Sequence, residues 1–335
     1  MNMKQWISDL KDAQVKKTMP ILSFPCISLM DITVSQLIND PSLQAKGMKL
    51  VADKTDSAAS VSMMDLSVEA EAFGASVKTS DYEVPTVTGA IISSYEDAKA
   101  LQVPAVGTKR TGLYIKAIEE ACSLITDRPV FAGVIGPFSL AGRLMDVTEA
   151  LINCYTEPEM VKETMKKTTA FLIDYINAYK NIGANGVVMA EPLTGLLSPD
   201  LAAEFSEPYV RQIIEAVQDD DFIIIYHNCG NNTISMIDSI LRVNAAAYHF
   251  GNAISMAEMM QKIPSDIVAM GNIDPAGQFC NGTPASIREA TLSLMDELCN
   301  KYPNFVISSG CDIPPMSKWE NIHAYFEAVN EFYLK

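Results

Sequence analysis

Eight short runs in this chain are apolar throughout rather than in alternation. They are "ILSFP" (21–25), "SVSMM" (60–64), "VFAGVIG" (130–136), "GVVMA" (186–190), "FIIIY" (222–226), "AAYHF" (246–250), "IVAMG" (267–271) and "FVISSG" (305–310). A strand with one wet face alternates apolar and polar residues, whereas a parallel strand covered on both faces does not. Parallel strands also need long crossovers, and the intervals here carry helix signals. Thr156-x-x-Glu159 reads as a capping box opening a helix that runs to Gly183, with Val161, Met165, Leu172, Ile176 and Tyr179 on one face. Ser255-x-x-Glu258 and Ser317-x-x-Glu320 repeat the box, and Ser198-Pro199 and Thr283-Pro284 are cap-then-proline starts. Eight buried strands interleaved with helices predict an α/β fold, a single (β/α)8 TIM-type barrel over residues 1–335 with residues 1–20 as an N-terminal helical extension. The stretch 75–108 carries neither pattern and reads as an irregular excursion.

Composition narrows the partners. The 335 residues carry a net charge of −16, with no clustered Lys and Arg to hold phosphates, so nucleic acid is excluded as a partner. An acidic chain gains nothing from an anionic membrane surface, and no apolar run approaches the length of a bilayer span. The opening "MNMKQWISDLKDAQVKK" lacks the apolar core of a signal peptide. Seven cysteines spread over so long a chain do not form a disulfide framework. A cytoplasmic protein with reduced thiols is the expectation.

In a (β/α)8 barrel, chemistry gathers at the C-terminal ends of the strands. Glu191 stands after the fourth run, His227 and Cys229 after the fifth, and Asn252 after the sixth. Asn272 and Asp274 follow the seventh, and Cys311 and Asp312 the eighth. His227 and Cys229 are two apart, so a strand end projects both to the same face. With Cys311 from another strand end they make an N,S,S donor set with a position to spare, the pattern of a catalytic rather than a closed structural zinc. Two thiolates and a neutral imidazole cancel the charge of Zn²⁺. A thiol bound there would lose its proton and stay electron-rich, which suits sulfur attacking a methyl group.

These residues are familiar as a set. His-x-Cys followed distantly by the Cys of "SSGCDIPP", together with "GVIGPFSLAG" (133–142), "SPDLAAEFSEPY" (198–209), "GNIDP" (271–275) and "MMDLSVEAEAFGA" (63–75), resembles the uroporphyrinogen decarboxylase superfamily. The zinc signature is similar to that of its methylcobamide:coenzyme M methyltransferases and related corrinoid-dependent methyltransferases. The resemblance implies zinc on His227, Cys229 and Cys311. It also implies a corrinoid (methylcobalamin) carried by a separate protein that docks over the C-terminal rim, and a small thiol such as coenzyme M, or a methylated donor, as substrate. The family's decarboxylases carry an arginine-bearing segment of the type Arg-Gln-Ala-Gly-Arg to hold their polycarboxylate substrate. Here the corresponding stretch is "FPCISLMDIT", and the first arginine of the chain is Arg110.

Each residue also has a plainer reading. Glu191 and Asp274 read either as catalytic carboxylates or as members of rim hydrogen-bond networks. Arg143 meets an anionic substrate group or makes a surface ion pair. Met64 ends the second run, where it lines the pocket or fills the core, and Cys26 is the one other cysteine placed to reach the pocket. His249 reads as structural and His323 as surface or packing. Two further functions stay open beside the methyltransferase: a decarboxylase, and a silent barrel that binds a corrinoid protein as sensor or scaffold.

Overall fold

The computed structural model describes residues 1–334. Seven parallel strands form one curled sheet: β1 Ser60–Val61, β4 Val130–Ile135, β5 Gly186–Ala190, β6 Ile223–Asn228, β7 Ala247–Phe250, β8 Val268–Ile273 and β9 Phe305–Ser309, in that order. The remaining strands, β2 Ser76–Lys78 and β3 Thr86–Thr88, pair as an antiparallel hairpin. Helices cover the outer face, so the sheet strands are buried on both sides, as their composition predicts.

The eighth position of the barrel is filled, but not by a ladder strand. Residues 18–23 lie between β9 and β1, bonded by Met19 N–H to the Ile307 carbonyl and by Ala58 N–H to the Thr18 carbonyl. Pro20 has no N–H to offer, and the Ile21 N–H goes to the Ser309 hydroxyl instead of a carbonyl. The expected strand 21–25 is therefore an extended segment held largely by side chains, and it ends in the short helix Cys26–Met30. The second expected strand, 60–64, shortens for a related reason. Beyond Val61, the Ser62 hydroxyl takes the Gly133 N–H and the Met64 N–H goes to Asp312, so β1 peels away from β4.

Two helix starts are also corrected. Thr156 closes the helix Val147–Thr156, its hydroxyl bonded back to the Ile152 carbonyl, and the next helix opens at Pro158. The expected apolar face of that helix, Pro158–Asn181, is buried along its length. The last helix begins at Trp319, and the Ser317 hydroxyl is buried without a partner. Ser198, Ser255 and Thr283 cap their helices as predicted. The stretch 75–108 contains the β2–β3 hairpin and the helix Tyr95–Ala100, where an irregular excursion was expected. Among the described residues no helix is long and apolar enough to cross a membrane.

Strand alternation splits the core in two. Phe131, Val188, Ile223, Ile225, Ala247, Val268, Met270 and Val306 fill the barrel interior, while their neighbours pack on the helices. The helix Met3–Asp12 closes the bottom of the barrel. Met3 is fully buried and Trp6 lies 5.7 Å from Phe131.

A polar cluster holds the loop after β1. Asp65 accepts from Arg110, Tyr114 and Ser67, and Arg110 also reaches Glu71. Glu69, on the following short helix, is fully buried and accepts only the Ile135 N–H, leaving Oε2 without a partner. Burial pushes its carboxyl up to about 7. A raised carboxyl favours the protonated form, so the folded state loses stability as pH rises from about 4.5 through about 7. The full penalty is on the order of 3 kcal/mol. Glu69→Gln keeps the acceptor for Ile135 and removes the buried charge. The variant is expected to melt a few degrees above wild type at pH 8 and together with it at pH 4.5, as thermal denaturation across that range would show.

Candidate metal centre

The inward residues of β6 are Ile223, Ile225 and, by the same alternation, His227 at the top of the strand. Cys229 follows on the turn beyond it. Cys311 comes in from the far side, two residues past β9. The curl of the sheet brings the three together: their donor atoms all lie within 4.8 Å of one another. Small residues make the approach possible. A Cβ on Gly251 would stand 2.4 Å from Cβ of Cys229, and one on Gly195 would stand 2.4 Å from Cα of Gly230. Either side chain would push the Cys229 turn off the rim.

The imidazole of His227 is 1% exposed, and its Nδ1 lies 2.8 Å from Nδ1 of His249. The two are register partners on β6 and β7. Nε2 of His227 is buried with no hydrogen-bond partner. A buried ring nitrogen without a partner is costly unless it has a ligand to meet. Here it faces two thiols. Burial and the adjacent His227 hold His249 well below the ordinary imidazole range, which keeps it neutral. On its far side, Nε2 of His249 lies 2.8 Å from the Ser308 hydroxyl, and that hydroxyl donates to the Met19 carbonyl at 2.6 Å.

The thiols are unequal. A hydrogen bond from Cys311 lowers the Cys229 thiol below its ordinary value, against burial. The same bond, with burial, pushes Cys311 up to about 12. Two interacting thiols beside a buried imidazole nitrogen without a hydrogen-bond partner are a donor set that a soft divalent cation can take over by displacing thiol protons. Donor atoms around one tetrahedral zinc stand roughly 3.5–4 Å apart, so the cluster is of the right size.

The other rim residues are placed as follows. Glu191 comes after inward-facing Ala190, so its carboxylate turns to the helix layer. There it accepts from the N–H groups of Phe138 and Ser139 and from the Ser139 hydroxyl, at the N-terminus of the helix Pro137–Met145. Burial pushes it up to about 7 against those donors. Asp274 accepts the Gly277 N–H and caps the turn Pro275–Cys280. Asn272 donates to the carbonyls of Gly251 and Ile254 and so fixes the loop that carries Asn252, which is exposed against Gly310. Met64 is buried in the barrel interior with its sulfur against Gly133. Arg143 is half-buried, its Nε has no partner, and among the described residues it has no acidic neighbour within ion-pair range; burial lowers its guanidinium. Cys26 is buried against Gly47 of the helix Pro41–Lys54, and burial pushes its thiol up to about 12. His323 is exposed and edge-on to Trp319.

Sequence reading takes His249 as structural, gives Asp312 a place at the rim but no role, and does not single out Ser308. The carboxylate of Asp312 is buried, with one oxygen on the Met64 N–H and the other unpartnered. Strand alternation within "AAYHF" was the available signal for His249, since it puts His249 on the same inward face as Ala247. Its neighbour across the ladder is a matter of register, which the local sequence does not carry.

A family model described as uroporphyrinogen decarboxylase (URO-D) matches residues 26–332. The methylcobamide:CoM methyltransferase MtbA of Methanosarcina acetivorans is 25% identical over 274 residues, covering 80% of this chain and 78% of the relative. A uroporphyrinogen decarboxylase of Coxiella burnetii is 27% identical over 272 residues, covering 75% and 72%. A solved methyltransferase from Methanosarcina mazei superposes with a TM-score of 0.85 at 21% identity, over 99% of this chain and 98% of that one. That likeness is one of fold, and the match over nearly the whole chain is one of descent: this protein belongs to the uroporphyrinogen decarboxylase family.

Proposed function

We propose that this protein is a zinc-dependent, corrinoid-linked methyltransferase, moving a methyl group between a corrinoid carried by a partner protein and a small thiol such as coenzyme M. The observation that carries the reading is the convergence of a bare, buried His227 Nε2 with the thiols of Cys229 and Cys311 inside 4.8 Å. Zinc bound there would supply a Lewis acid that holds the incoming thiol as a thiolate. The corrinoid would supply the methyl group: a carbon–sulfur bond would form as the carbon–cobalt bond breaks, with the electron pair left on cobalt and the thiol proton released. Taking a methyl group from a methylated donor onto the corrinoid uses the same site in reverse.

The chain's own residues supply position and charge. His227, Cys229 and Cys311 would hold the metal from two separate strand ends. Asn272 fixes the 251–254 loop beside Cys311, with Asn252 at the edge of the opening. Arg143 is a half-buried cation without a carboxylate, and we assign it to an anionic group on the substrate. The carboxylates of Glu191 and Asp274 act at one remove, by holding the backbone of the helix and turn beside the opening. The relative's name supports a corrinoid as the methyl carrier, and we assign the docking of its carrier protein to the rim of the barrel.

The decarboxylase reading has a relative of comparable identity on its side. It fails on charge. The segment that follows the barrel-closing residues, Cys26–Met30, is without arginine, and Arg110 is committed to Asp65 and Glu71. A polycarboxylate would find Arg143 alone to meet its several charges and no arginine on the Cys26–Met30 segment, which is costly.

Metal analysis of wild type beside Cys311→Ala tests the reading. About one zinc per chain is expected in wild type, and metal is lost from the variant along with methyl transfer from methylcobalamin to thiol. Wild type that stays free of zinc after metal is supplied sinks it. Arg143→Met is expected to raise KM for 2-mercaptoethanesulfonate by about 10–100-fold, the worth of one charge-assisted bond, with little change for 2-mercaptoethanol. Steady-state kinetics with the two thiols measures the difference.

A further inference from the structure

Three hydrogen bonds in a row run from the metal centre to the segment that closes the barrel: His227 Nδ1 to His249 Nδ1, His249 Nε2 to Ser308 Oγ, and Ser308 Oγ to the Met19 carbonyl. Their directions can be worked out from the far end. A backbone carbonyl has no proton, so at 2.6 Å the proton in the last bond must come from Ser308. A hydroxyl has one proton, so Ser308 must accept from His249, and the proton of His249 sits on Nε2. That leaves Nδ1 of His249 as a lone pair. Facing it at 2.8 Å, Nδ1 of His227 must carry a proton, and Nε2 of His227 is left bare. The opposite arrangement would set the Ser308 oxygen against the Met19 oxygen with nothing between them. It would also point an N–H of His227 at the thiols.

From this we propose that His249 is a positioning residue for the metal centre: it locks the His227 ring in the Nδ1–H tautomer, so that the donor lone pair is aimed at Cys229 and Cys311 before any metal arrives. The inference rests on the zinc reading above and adds a residue to it. Ligating histidines commonly hand their second N–H to a carboxylate or carbonyl. Here the acceptor is a second neutral histidine, whose own orientation is set by a carbonyl one residue before Pro20. The geometry ties ligand orientation to barrel closure, because both meet at Met19.

The chain has three histidines, at 227, 249 and 323, so a histidine-labelled sample gives an assignable long-range proton–nitrogen spectrum. In the zinc-free protein His227 is expected with its proton on Nδ1 and His249 with its proton on Nε2. A proton on Nε2 of His227 overturns the proposal without touching the zinc reading. Chelator competition on two variants supplies a second readout. His249→Leu removes the acceptor and is expected to weaken zinc binding by about 10–100-fold. His249→Asn offers a carbonyl oxygen to the same N–H and is expected to bind zinc close to wild type. Equal losses in both variants would reduce His249 to packing, and no loss in either would make it irrelevant; both results overturn the proposal. A wild-type chain that takes up no zinc overturns this inference together with the function it serves.

Discussion

The carbonyl of Met19 and the hydroxyl of Ser308 share one proton at the seam where the barrel closes. That seam is the least regular part of the wall. Pro20 removes a ladder donor, and the segment 18–23 is held to β9 and β1 by few backbone bonds, with serine and threonine hydroxyls filling in. The interior core depends on the seam, because Met19 and Ile21 complete the ring of side chains begun by Phe131, Val188 and Ile225. The donor set depends on it too, through His249. A wall closed by side chains rather than by a ladder lets a single bond serve packing and site at once.

Behind the rim, the fold accepts several buried polar groups and balances them unevenly. Asp65 and Arg110 pair and are further satisfied by Ser67 and Tyr114, which is the arrangement in which a buried charge is tolerable. Glu191 takes three donors at a helix N-terminus, where charge and dipole agree. Glu69 takes one donor and bears the cost of burial. Arg143 has no carboxylate among the described residues, and the absence is notable in a chain of net charge −16, where acids outnumber bases. A cation left unpaired in acidic surroundings points to an anion supplied from outside the chain.

Family membership does not by itself choose the chemistry. Relatives of both kinds, a corrinoid-linked methyltransferase and a decarboxylase, are about equally similar in sequence. What separates the two readings is a handful of side chains: three convergent metal donors, and a substrate wall whose first arginine is already spent on Asp65 and Glu71. Function is argued from the site, and the barrel supports either.

Much of this was legible in the amino-acid order. Runs apolar on both faces announced a parallel sheet under two covers, and the spacing of His227 and Cys229 announced two donors on one face. Thr156 and Ser317 misled because a capping motif states a local preference, and the neighbouring Pro158 and the docking of the last helix overrode it. Met64 lies in the barrel interior and Asn272 at a strand end, but which atoms they satisfy is not readable from the sequence. The pairing of His227 with His249, and the choice of which nitrogen is bare, were decided only by tertiary structure. Residue types and their periodicity are properties of a segment. The proton positions at the centre depend on strand register and on a closing segment hundreds of positions away from the ligands it orients, and contacts at that separation exist only once the barrel has closed.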